Sequence, residues 1–142
     1  MRFIKRYRRV CDCAVRAFLN AQKWQSNSCR IRYESLTKTL GVTRNTGANY
    51  PAIWRVCRRL GWRRTYRPSY QTLADILSRG SGALVGGMWN KGNETVGHMI
   101  FVYGKTPRGY RATGIGRDRL WISKRELHHK FEIYQLFEVL NE

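Results

Sequence analysis

Two residues of this 142-residue chain are placed so that their chemistry could combine. Cys13 follows Asp12, a good helix-capping residue, at the head of a stretch through Gln22 in which Val15, Phe18, Leu19 and Gln22 recur at helical spacing. A thiol at a helix N-terminus meets unpaired N–H groups and the positive end of the helix dipole, and Arg8, Arg9 and Arg16 stand close to it in sequence. That setting lowers a thiol pKa and makes a nucleophile, while the N–H of Cys13 itself can hold an oxyanion. The same position also suits an inert first-turn residue. His98 follows Gly97 and opens the apolar run Met99-Ile100-Phe101-Val102-Tyr103. A histidine at a strand mouth facing a helix N-terminus is the Cys–His arrangement of thiol catalysis. Its other reading is a partly buried structural histidine at a strand end.

The remaining reactive side chains read differently. His128 and His129 fall in a mixed basic and acidic segment and are expected to be solvated. Cys57 lies in an apolar helical pattern and reads as core. Cys11 and Cys13 are one residue apart, not the usual zinc-ligand spacing, and no second close pair accompanies them, so no metal and no organic cofactor are expected. With no secretory signal, the four cysteines are expected to be reduced thiols.

The charge is +18 and uneven. Residues 1–68 hold 17 basic and 2 acidic residues, and residues 69–142 hold 10 and 7. Such asymmetry fits a polyanion near the N-terminal half (nucleic acid, an acidic protein or an anionic surface) or simply a solvated face. Arg55, Arg58, Arg59, Arg63, Arg64 and Arg67 interleave with Trp54, Trp62, Tyr66 and Tyr70, a mixture that suits base stacking and phosphate contact, or else core aromatics beside a basic surface. No apolar run reaches the roughly 18 residues of a membrane span, and the basic segment 1–9 has no long apolar stretch behind it. The expected setting is therefore the inside of a cell, or a particle assembled inside one, without membrane partners.

One domain over residues 1–142 must position the pair, and 42% hydrophobic residues suffice for one core. The pattern predicts helices over about 13–22, 33–40, 51–60 and 70–77, with Gly41, Gly61 and Gly80 as stops. Residues 24–32 and 43–49 read as loops; the second, rich in Asn and Gly, also suits a ligand-facing turn. The period then switches. Strands are expected over 83–89, 98–103, 110–113, 120–122 and 131–140, with a short helix after Ser123 closed by a Ser123/Glu126 capping box. Helices first and an antiparallel sheet afterwards make an α+β domain.

Asp12-Cys13-Ala14-Val15-Arg16-Ala17, the segment Thr43 to Ile53, Leu60-Gly61-Trp62, the Gly97-His98 strand with its hairpin, and Trp121 to Leu127 together resemble the papain-like cysteine peptidase superfamily. The resemblance covers roughly residues 10–130 and is closest to the double-glycine-leader (bacteriocin-processing) peptidases and their small phage-encoded relatives. It implies a papain-like fold with helices packed on a sheet, a Cys13–His98 pair cutting a peptide or isopeptide bond in a peptide or protein substrate, and, for phage proteins, virion proteins as partners. Such peptidases carry an Asp on the strand after the histidine strand. Here that position falls at Thr113 or Gly114, and Asp118 a few residues on is the substitute. They also carry a Gln shortly before the cysteine, and residues 5–11 contain none. Peptidoglycan-cleaving relatives show Ser-Gly after the cysteine, which Ala14-Val15 does not match. A catalytically idle module that binds nucleic acid or serves virion assembly is the alternative function.

Overall fold

The computed structural model describes residues 3, 12–26, 31–43, 46–116 and 119–141. It is an α+β fold with five helices and a six-stranded antiparallel sheet among the described residues. In chain order these are α1 (Cys13–Ser26), α2 (Tyr33–Leu40), α3 (Tyr50–Arg59), β1 (Arg63–Arg64), α4 (Tyr70–Ser78), β2 (Gly82–Asn90), β3 (Thr95–Thr106), β4 (Gly109–Thr113), β5 (Trp121–Ser123), α5 (Lys124–Lys130) and β6 (Phe131–Val139). The sheet order is β1-β6-β2-β3-β4-β5.

Alternation along the central strands builds two cores, one on each face of the sheet. Leu84, Met99, Phe101, Phe137 and Val139 face α1, α2 and α3. Their neighbours Ala83, Val85, Ile100, Val102 and Leu136 face α4 and α5. Both faces of β2 and β3 are therefore apolar, which explains why these strands read as continuous hydrophobic runs and not as alternating ones.

Local chemistry sets the helix ends. Asn49 caps α3 by accepting from the Ala52 N–H, and Ser69 caps α4 by accepting from the Thr72 N–H. Gly41 ends α2 in the left-handed conformation. Ser123 accepts from the Glu126 N–H at 3.0 Å, but the Glu126 carboxylate turns to Arg119 and Lys130, so the capping box is only half formed. α1 runs four residues beyond the expected end at 22, because Trp24 packs edge-on against Phe101 and holds the last turn on the sheet. β3 begins at Thr95 and not at His98, since Thr95 and Val96 pair with Asn90 and Trp89. β1 went unseen in the sequence because two exposed arginines carry no strand pattern.

Candidate active site

Cys13 is the first residue of α1. Asp12 anchors that end of the helix: its main-chain carbonyl accepts the Arg16 N–H at 3.0 Å, and its buried carboxylate accepts the Tyr33 hydroxyl of α2 at 2.7 Å. Two turns along, the buried Asn20 amide donates to the Thr113 hydroxyl at the end of β4, 3.2 Å away. Tyr33 and Asn20 thus fix where the helix N-terminus sits on the sheet.

The Cys13 sulfur meets main-chain N–H groups of Ala14 and Met99. Met99 is bonded to His98, so the sulfur meets the peptide that follows the histidine; no hydrogen bond joins the sulfur to the His98 ring, which lies with Trp89 and Phe131. β4 pairs with β3 only from Phe101 onward, so among the described residues no strand pairs with residues 95–100 on that side. The His98 ring lies 5.6 Å from the Trp89 ring and 6.4 Å from the Phe131 ring, and its Nε2 is 2.5 Å from the Gly114 carbonyl oxygen. A carbonyl only accepts, so Nε2 carries the proton and Nδ1 keeps the lone pair in the neutral ring.

The main chain thus stands where an Asp was expected. Gly114 has φ +82°, and a Cβ there would lie 3.4 Å from the Met99 carbonyl oxygen and from the Ile100 side chain. Any side chain at 114 is strained in this conformation. Thr113, the other position at which an Asp was expected, is buried and bonded to Asn20. Asp118 lies outside the described residues.

Burial decides the charge states. It pushes the Cys13 thiol up, against the lowering by the Met99 and Ala14 N–H groups and by Arg16. It pushes His98 down, against the raising by the Gly114 carbonyl. The expected lowering of the thiol is thus overturned, because desolvation outweighs the helix N-terminus and the nearby cation. Arg16, itself buried on the turn after Cys13, acts on both groups.

Gln135 on β6 has no counterpart in the sequence reading. The Trp54 indole N–H donates to its Oε1 at 3.2 Å. The indole can only donate, so this contact fixes the amide with its NH2 group turned away. The side chain lies across Gly86: a Cβ at residue 86 would be 2.7 Å from Gln135 Nε2 and 3.1 Å from the Met99 methyl. The signals were a glycine pair inside an apolar strand and an amide at an inward register position of another.

The remaining candidates fall elsewhere. Cys57 is core, as read. Trp62 is buried and stacks on Phe18, and Tyr70 is held by the carbonyls of Leu127 and Phe131, so neither belongs to an exposed stacking face. His128 is exposed but not merely solvated: its Nε2 is 2.6 Å from the Tyr110 hydroxyl and its ring is 3.8 Å from Tyr70. A cleft of about 520 Å³ opens beside it, lined in part by Tyr70, Asn90 and Lys130, and neither Cys13 nor His98 lines it. In the 43–49 segment, the N–H of Asn49 bonds to Leu40 and its side chain to Ala52, so Asn49 closes the turn into α3; residues 44 and 45 lie outside the described residues.

No family model matches the chain, and no curated protein sequence matches it.

Proposed function

We propose that the chain is a papain-like cysteine hydrolase of the phage type, cutting a peptide or isopeptide bond in a host cytoplasm or a virion. The observation that carries this reading is the placement of the Cys13 sulfur against the N–H of the peptide that joins His98 to Met99, with His98 oriented by the Gly114 carbonyl.

Both groups rest neutral. His98 Nδ1 takes the thiol proton as the sulfur attacks the scissile carbonyl, so the ion pair forms only during the reaction. The N–H of Cys13 and the Gln135 amide hold the developing oxyanion. The imidazolium then gives its proton to the leaving amine. Water, deprotonated by the same imidazole, cleaves the thioester and restores the thiol. The Gly114 carbonyl supplies what an Asp otherwise supplies, a fixed ring orientation and partial stabilisation of the imidazolium.

The test is hydrolysis of a peptide library by the full chain. Cys13→Ser and His98→Ala should each remove activity while leaving the melting temperature within a few degrees. Gln135→Leu should lower kcat by roughly 10²-fold, the usual loss of one oxyanion donor. Hydrolysis that survives Cys13→Ser would sink the assignment. A folded wild-type chain inert to every peptide would point instead to a binding module.

A further inference from the structure

We infer that the face formed by α3 and β1 binds single-stranded nucleic acid. Arg55, Arg58 and Arg59 stand three and four residues apart on the exposed side of α3, opposite the buried Ala52, Ile53, Val56 and Cys57. Arg63 and Arg64 form β1, the edge strand of the sheet, and Arg67 follows it; all six guanidiniums belong to exposed residues.

Little of this charge is balanced locally among the described residues. Between Glu34 and Asp75 the sequence has no carboxylate. Across the sheet, Glu138 pairs with Arg63 in register, but its carboxylate is engaged by Arg79 at 2.9 Å and Ser81 at 2.7 Å. Arg58 and Arg59 suit the negative end of a helix dipole, and arginines blunt an open sheet edge. Neither role calls for aromatic rings on the same face.

Such rings are present. Trp54 is 42% exposed, tethered through its indole N–H to Gln135, and covered on one side by Arg64, whose guanidinium carbon is 3.7 Å from the ring centroid. Tyr66, between Arg64 and Arg67, is fully exposed. A held indole–guanidinium stack and a free phenol ring beside a row of cations offer π-faces and phosphate contacts together. A duplex hides its base faces, so the aromatic rings single out unpaired strands. Through Gln135 the Trp54 end of this surface adjoins the proposed oxyanion donor, but strand binding uses no thiol chemistry and does not depend on the hydrolase reading.

The experiment is fluorescence anisotropy of labelled single-stranded DNA and RNA of about 16 nucleotides, with the matching duplex, heparin and anionic vesicles as competitors. The full chain should prefer the single strands, with log affinity falling against log salt by about 0.7 per phosphate contacted. Replacing Arg58, Arg59, Arg63 and Arg64 together by Gln should flatten that slope. Tyr66→Ala should weaken single-strand binding roughly fivefold or more without changing the slope. Cys13→Ser should bind like the wild type, which separates this result from any failure of the hydrolase assignment. Equal affinity for duplex or heparin with no effect of Tyr66→Ala would leave only a polyanion surface and overturn the inference. Preference for the vesicles, or no binding near 0.15 M salt, would overturn it as well.

Discussion

Taking Cys13 out of water penalises its thiolate more than the surrounding donors relieve it, and taking His98 out of water penalises the imidazolium in the same way. The two effects push the titrations apart, so at neutral pH the pair holds one proton on sulfur and none on Nδ1. Alkylation follows the thiolate fraction. The rate of iodoacetamide labelling at Cys13, followed by peptide mapping, should therefore keep rising with pH through the alkaline range, while the buried Cys57 stays unlabelled in the folded chain. A plateau reached below pH 7 would show a stable thiolate–imidazolium pair and contradict this account. At this scale the sequence placed Cys13 at a helix start and His98 on a strand, and it misjudged the charge of the thiol. The residue types and the helix start were legible in Asp12-Cys13, but the burial that sets the pKa is a property of the packed fold. Gly114 shows the same limit. Its carbonyl is invisible to a search for acidic side chains, because every residue has one.

Among the elements, β6 is held at its far end by a charge. Arg79 closes α4, and its guanidinium makes two contacts to Glu138 near the end of β6, where Ser81 adds a third. These contacts lower the Glu138 carboxyl below its ordinary value, the Arg79 hydrogen bond contributing most. A lowered carboxyl stabilises the fold above its unfolded value, near 4.5, and that contribution fades as the pH falls toward the folded value. Arg79 is half exposed, so the effect is modest. Glu138→Gln should cost about 1–2 kcal/mol near neutrality and less in acid, read from urea unfolding at pH 7 and pH 3. An unchanged cost at both values would show that hydrogen bonding and not charge is responsible. Helix positions were legible because Gly41, Gly61 and Gly80 stop their helices where the patterns end. Strand β1 was not legible, because pairing with Glu138 and Phe137 defines it and its own two residues do not.

Across the whole molecule, the division into an N-terminal helical half and a C-terminal sheet half was legible in the change of hydrophobic period. What the period did not reveal is that the helices split between two faces, α1 to α3 on one and α4 with α5 on the other. Burial on both faces also hides His98 from any simple inside–outside rule, since its strand has no solvent side near the middle. The basic bias of residues 1–68 was read from composition alone. Its concentration on α3 and β1, with Trp54 and Tyr66 among the arginines, needed the packed structure.

The sheet order has a consequence for how the chain is made. β6 is the last strand in sequence, yet it lies between β1 and β2, so residues 63–64 and 82–90 share no sheet until residues 131–139 arrive. Gln135 arrives with them, as does Phe137 in the core beneath α1 to α3. Contacts this distant in sequence form late and slowly. A nascent chain cut off after Lys130 should show no cooperative unfolding, and its Cys57 should be alkylated at once; protection of Cys57 in that fragment would show that the helical face assembles without the last strand. A chain built in this order does not assemble face by face: both cores of the sheet close in one event, when the last strand is in place.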